Sequence, residues 1–438
     1  MKFKSIVICS FLFVFSCMFG QIREIDYVEF DLDNGLHVIL HQDNSVPLVA
    51  INVLYHVGSK NEKADRTGFA HFFEHLMFEG SENIARGDYA KICEAAGGQN
   101  NAYTSFDQTV YHELLPSNQL ELGLWLESER MLHLKIDEIG VETQRSVVKE
   151  ERKQNYDNQP YGSLLEEIFN HAYKVHPYRW VPIGSIQYID EAKLEEFMEF
   201  YKTFYVPNNA TLSIAGDIDI DKTKDLVKMY FGDIPKGTKD IYRPTEVEPE
   251  QTVEIRDTVY DNIQLPAVIL AYHMPKQGSE DYYALDMLTK ILSGGQSARL
   301  YKELVDKQQL SLQVASIPLA LEDPGLFIVF GLPNVGIDPL MLEEAINIEL
   351  EKVKTDLVDE KEFQKIQNQI ESQFVSSNSS VAGIAGSLAN YHVFFGDANL
   401  INTEIERYMK VTREDLKNVA IKYLVKNNRV VLYYLPKI

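Results

Sequence analysis

The hydrophobic and polar positions of the chain fall into a pattern that is written twice. Phe197, Phe200 and Phe204 stand at i, i+3 and i+7, the spacing of one buried helix stripe, and Leu416, Val419 and Tyr423 repeat it. Each stripe runs into Asn-Asn and then an apolar segment. Tyr205-Val-Pro-Asn-Asn-Ala-Thr-Leu-Ser-Ile in the first copy becomes Leu424-Val-Lys-Asn-Asn-Arg-Val-Val-Leu-Tyr in the second. Upstream, alternation predicts strands at 27–32 and 37–41 around an Asn34-Gly35 hairpin turn, a strand at 49–57, and a helix from about Thr67. The second half offers strands at 253–260 and 267–273 and a helix from about Tyr282. Strands followed by helices in both halves predict an α+β fold of two duplicated units, each a mainly antiparallel or mixed sheet packed with helices. Pro235, Gly237, Pro244 and Pro249 break a polar stretch between them, so the units are expected at 21–240 and 241–438.

The first 20 residues read as an address. Lys2 and Lys4 precede an apolar run, Ile6 to Phe19, that is too short to span a bilayer. Cleavage after Gly20 is expected, with Val14-Phe15-Ser16-Cys17 as an alternative lipoprotein box that would anchor Cys17. The protein is therefore expected to be exported, periplasmic or lipid-anchored, with no transmembrane span. Two of its three cysteines lie in that leader, which leaves Cys93 without a partner for an intramolecular disulfide. Any metal must then be held by histidine and carboxylate. With 45% hydrophobic and 24% charged residues the chain is globular, and a net charge of −23 argues against nucleic acid, whose phosphates need clustered Lys and Arg.

The chemistry concentrates in Gly68-Phe-Ala-His71-Phe-Phe-Glu74-His75-Leu-Met-Phe78. On a helix, i, i+3 and i+4 share one face, so His71, Glu74 and His75 point the same way. Two imidazoles on adjacent turns suit one Zn²⁺, and the carboxylate between them stands where a general base would meet a metal-activated water. A third ligand is expected from a second helix over Asp137–Asn155, where spacing leaves Glu150 and Glu151 open. His56, His112, His133, His176 and His392 are isolated in sequence and read as ordinary surface or strand groups. Gly294-Gly295 reads as a helix-ending turn, since no Lys-Ser/Thr follows.

Together, Asn34-Gly35-Leu36, Val57-Gly58-Ser59, Gly68-Phe69-Ala70-His71-x-x-Glu74-His75, Asn101-Ala102-Tyr103-Thr104, Val148-x-x-Glu151, Asp157-Asn158-x-Pro160-Tyr161, Tyr205-x-Pro207-Asn208-Asn209 and Gly216-Asp217 resemble the pitrilysin/insulinase family of inverted zinc peptidases. The layout is similar to the branch of mitochondrial processing peptidase and its bacterial relatives. The resemblance implies one zinc ion per chain on His71, His75 and Glu151, with Glu74 as base. It implies that Asn101, Ala102 and Tyr103 form an edge strand that takes up extended peptides. It also places Gln144 beside the metal ligands, where the family often has Glu. In the second half, His71, Glu74 and His75 fall on Leu285, Leu288 and Thr289, so that copy is expected to be silent. The family's Arg of a substrate-clamping strand aligns with Phe327.

The function implied is a zinc-dependent endopeptidase acting on extended peptides or unfolded segments. The alternative is a non-catalytic scaffold or interaction subunit of the same fold. The missing Arg leads to the expectation of a second, family-related subunit lacking His-x-x-Glu-His, with a homodimer as the alternative.

Overall fold

Asn34-Gly35 turns the chain where the pattern predicts, with Gly35 at φ +86°, a conformation that only glycine adopts freely. Strand β1 (Val28–Asp31) thereby pairs antiparallel with β2 (His37–Gln42). In this computed structural model residues 24–437 are described; the leader, with Cys17 and the Gly20 cleavage site, lies outside them. The remaining strands of the first sheet are β3 (Leu48–Tyr55), β4 (Gln99–Thr104), β5 (Thr109–Pro116) and β6 (Ala210–Gly216). Their order is β1-β2-β6-β3-β5-β4, with β2 and β6 parallel and every other pair antiparallel. The second sheet contains β7 (Ile255–Asp261), β8 (Ala267–His273), β9 (Ser311–Leu319), β10 (Leu326–Pro333) and β11 (Arg429–Pro436). Its order, β7-β11-β8-β10-β9, reproduces β2-β6-β3-β5-β4, including the one parallel pair.

The repeated Asn-Asn has the same job in each half. Asn209 Nδ2 donates to the carbonyls of Phe204 and His56, and Asn428 Nδ2 donates to those of Tyr423 and His273. Each amide thus ties the end of a helix to the end of the strand beside it, satisfying carbonyls that burial would otherwise orphan. The aromatic stripe is buried as its period predicts, on the helix Leu194–Phe204. Leu416 and Val419 do the same on Arg413–Tyr423, although Tyr423 is only partly buried. Leu285, Leu288 and Thr289 are buried on the helix Glu280–Ser293, with the Thr289 hydroxyl donating to the Leu285 carbonyl. That copy of the helix packs and offers no ligand.

Each half lends a helix to the other. The helix Val381–Phe395 of the second half lays Ile384, Ala385 and Leu388 on Ile39, Ala50 and Ala215 of the first sheet. Reciprocally, the segment ending in the helix Leu164–Ala172 reaches the second sheet: Tyr161 donates to the Leu265 carbonyl, and His171 pairs with Asp257. Phe327 lies in β10, an inner strand, with its ring fully buried in the core of the second half. The expectation that Phe327 occupies a clamp position is therefore corrected: the free edge belongs to β9, and neither β9 nor β10 contains Arg or Tyr.

A buried ionic cluster fastens the halves. Lys60 Nζ, almost fully enclosed, lies 2.9 Å from Asp107, 2.6 Å from Glu322 and 3.1 Å from Asp323. His56 meets the same Glu322 carboxylate at 2.7 Å, and His176 faces Asp323 at 3.4 Å. Burial opposes the charge on Glu322, but His56 and Lys60 hold its pKa down to about 2. Asp323 is likewise resisted by burial and held at about 2 by His176 and Lys60. Since both folded values lie below the ordinary 4.5 and 3.8, the cluster stabilises fully above those values and is lost as pH falls toward 2. Glu322→Gln should cost about 2 kcal/mol at neutral pH, allowing for its partial exposure. It should also flatten the decline in urea midpoint between about pH 6 and pH 3. An acid limb as steep as that of the parent would refute this role for the cluster.

Candidate metal centre

The His71 helix spans only Phe69–Leu76, too short to be stable by itself, so its surroundings must hold it. Phe69, Ala70, Phe72, Phe73 and Leu76 are buried on one side. Phe197 of the repeated stripe stacks on Phe69 and Phe72 at 4.7 and 4.6 Å between centroids, and Phe200 stacks on Phe73 at 5.5 Å. The opposite face carries His71, Glu74 and His75, all partly exposed.

The helix N-terminus is fixed by a buried carboxylate and a pair of glycines. Glu62 accepts the backbone N–H of Gly68 at 2.9 Å and of Ala70 at 2.8 Å, satisfying donors that an eight-residue helix cannot. Burial pushes Glu62 up to about 8, against the pull of those backbone donors. Gly68, at φ +95°, packs directly on Gly184, where an added Cβ would stand 2.2 Å from the Gly68 nitrogen. Arg152, next to Glu151, donates to the Gly184 carbonyl and pairs with Glu166 at 2.8 Å. One short contact chain, Gly68–Gly184–Arg152, thus links the two ligand-bearing helices.

The second helix runs Glu138–Arg152, capped by the Asp137 carboxylate on Gly140 N, and continues into a wide turn over Lys153–Asp157. It brings Glu151 to the histidines. His75 Nε2 is 3.1 Å and His71 Nε2 3.6 Å from Glu151 Oε2, and the two imidazole nitrogens are 3.4 Å apart. Donors about 2.1 Å from one tetrahedral zinc ion lie about 3.4 Å from one another, so the triangle has the right size. The two rings are nearly perpendicular, at 85°, as ligands converging on one point require. Glu151 Oε2 is buried and receives no aligned hydrogen bond. Burial, then the neighbouring His75, lowers His71 to about 4, so its imidazole is neutral and its lone pair available. Glu150 instead is exposed and bonded to Gln154, which separates the two glutamates that spacing left open.

Glu74 stands on the same face but outside the triangle. Its Oε2 accepts the Thr104 hydroxyl at 2.6 Å, and burial raises its pKa despite that bond. Thr104 is the last residue of β4, the free edge of the first sheet. Asn101 and Tyr103 are exposed on that strand, while Ala102 shares the inward side with Thr104. The expectation for Gln144 is corrected: its amide donates to Glu79, which also pairs with Arg86, and it bonds none of the three ligand residues. The histidines read as isolated also find partners: His56 and His176 enter the ionic cluster, His133 faces Glu82, and His392 stacks on His37.

Comparison with known proteins follows this geometry. The family profile described as "Insulinase (Peptidase family M16)" matches residues 37–180, and "Peptidase M16 inactive domain" matches 191–370. The chain is 34% identical over 410 residues to the zinc protease PqqE of Helicobacter pylori, covering 92% of each. It belongs to peptidase family M16. It is also 24% identical over 388 residues to the uncharacterized zinc protease YmxG of Bacillus subtilis, covering 88% of this chain and 93% of that one. The crystal structure of a protease from Helicobacter pylori superposes with a TM-score of 0.90 at 32% identity, covering 94% of this chain and all of that one. A likeness in fold alone extends to the periplasmic protease PqqL of Escherichia coli, at TM-score 0.75 and 17% identity, of which 48% is matched.

Two substitutions test the construction. Glu151→Gln should abolish stoichiometric zinc retention while leaving the melting temperature of the zinc-free protein within a few degrees of the parent's. Gly184→Ala should also reduce zinc retention, because the added methyl displaces Gly68 and with it the His71 helix. Full zinc content in either variant, measured by atomic emission on dialysed protein, would contradict the assignment.

Proposed function

We propose that this M16 chain is a zinc-dependent endopeptidase that cuts extended peptides or unfolded segments bound along β4. The observation that carries this reading is the convergence of His71, His75 and Glu151 beside Glu74, directly under a free sheet edge. A zinc ion held by those three residues would supply Lewis acidity to a scissile carbonyl and acidify an attacking water. The chain's own residues do the rest. Glu74 takes the water proton on its carboxylate, and its burial-raised pKa suits the later delivery of that proton to the leaving amine. Thr104 fixes one carboxylate oxygen, leaving the other free for the proton. The free edge at Asn101, Ala102 and Tyr103 offers main-chain bonding, which is indifferent to side-chain identity and favours substrates that are already unfolded.

Export to a periplasm-like compartment is part of the proposal, supported by the charged and apolar leader and by the periplasmic relative. So is a partner subunit. With no Arg or Tyr in β9 or β10, the second half lacks obvious side chains to hold a peptide from the far side. A related chain without the metal ligands is proposed to supply them.

Glu74→Gln should retain zinc and fold yet lose about 10²–10⁴-fold in turnover of an unfolded fluorogenic peptide, the usual contribution of a positioned base. Turnover persisting in the zinc-loaded variant would sink the role given to Glu74. The chain expressed alone should turn over slowly and accelerate when a related subunit is added. Full activity from a strict monomer or homodimer would remove the need for a partner.

A further inference from the structure

A second group of metal-ligating side chains lies at the seam between the halves, on elements unrelated to the first. His37 opens β2, Glu29 lies on the adjacent β1, and His392 sits in the last turn of the helix Val381–Phe395 lent by the second half. Their donor atoms all fall within 4.8 Å of one another. His37 Nδ1 is 2.7 Å from the Asp31 carboxylate, the arrangement by which a carboxylate fixes the tautomer of a metal-binding histidine and turns the other nitrogen outward as a lone pair. That other nitrogen, His37 Nε2, is buried and has no hydrogen-bond partner, with Glu29 Oε2 3.5 Å away. The buried nitrogen has been stripped of water without receiving a replacement, which is costly unless something else occupies the position.

We propose that Glu29, His37 and His392 form a second divalent transition-metal site, separate from the peptidase centre, that fastens the first hairpin to the helix lent by the second half. Two imidazoles and one carboxylate are a donor set for Zn²⁺ and its borderline neighbours, with a fourth position left for water. The imidazoles stack, their centroids 3.5 Å apart and planes within 4° of parallel, so their in-plane lone pairs run side by side. Chelation therefore needs one ring to turn about its Cβ–Cγ bond. His392 is the one able to do so, because among the described residues no hydrogen bond holds its ring, whereas Asp31 holds His37. Burial, and then His37, lower the pKa of His392, so the pair is not kept apart by two positive charges. The ion would replace stacking with coordination and cross-link residues more than 350 positions apart in the chain.

The test uses the full-length mature chain, stripped with a chelator and titrated with ZnCl₂ by calorimetry. In a His71→Ala background, where the peptidase site is disabled, one equivalent should remain. Adding His392→Gln or His37→Ala should remove it, and each of these alone should leave one equivalent and unchanged peptidase turnover in the otherwise parental protein. Zinc should raise the melting temperature of His71→Ala but not of His71→Ala/His392→Gln, while the two melt together in chelator. If His37→Ala lowers the chelator baseline by itself, His392→Gln, which alters only a half-exposed ring, carries the decision. Absence of zinc binding in His71→Ala, or binding untouched by His392→Gln, would overturn the site and leave the stacked pair as packing only.

Discussion

The arrangement of this protein depends on burying one face of an eight-residue helix. Phe69–Leu76 is two turns long, and a helix of that length gains too little from its own hydrogen bonds to persist in water. Its stability is therefore borrowed: from the aromatic stripe of Leu194–Phe204 behind it, from the Glu62 carboxylate on its first N–H groups, and from the glycine contact at its start. Burial of the phenylalanine side forces His71, Glu74 and His75 onto the accessible side, because the period of the helix permits no other division. The apolar pattern and the metal chemistry are thus one constraint seen from two sides.

Duplication explains why so large a framework surrounds so small a site. Both halves solve the same packing problem, a helix stripe against a helix beneath a five-strand core, and close it with the same asparagine bonds. Where the first half has His71, Glu74 and His75, the second has Leu285, Leu288 and Thr289, so the second helix can be buried all round. Freed from chemistry, the second half becomes a support. Its helix Val381–Phe395 covers the first sheet, and its Glu322 and Asp323 meet Lys60. Because each sheet is completed by a helix from the other half, neither half closes its core alone.

Much of this was legible in the sequence because it is local or periodic. The hairpin at Asn34-Gly35, the paired stripes and the His71–Glu74–His75 face follow from spacing of two to seven residues. Glu151 needed the family resemblance, since Glu150 is equally placed along the chain and only the packing of two helices tells them apart. Glu62, Gly184 and Thr104 were missed as parts of the site. Each acts on the His71 helix from another element, through a cap, a missing Cβ or a hydroxyl, and no period marks such contacts. A Glu six residues before Gly68 was the available signal for the cap, and alternation along β4 could have placed Thr104 beside Ala102. Gln144 and Phe327 show the opposite error: alignment supplied a role, but Glu79 claims the amide and the core claims the ring.

The bond between Thr104 and Glu74 joins two tasks that sequence keeps thirty residues apart. Thr104 ends the strand on which a peptide would be laid, so the same backbone that positions a substrate also sets where the base points. Movement of β4 along its neighbour β5 would displace peptide and base together, keeping their separation constant even if the edge strand is the more mobile element. An edge strand is ordinarily a liability, open to any unpaired segment. Here its last side chain is spent on the catalytic carboxylate, so that productive pairing and a correctly oriented base depend on one register, Ala102 opposite Tyr111 and Thr104 opposite Thr109. A one-residue slip would turn Thr104 to the other face and release Glu74, because side chains alternate along a strand. The register of β4 on β5 is consequently as much a determinant of the proposed chemistry as the three metal ligands.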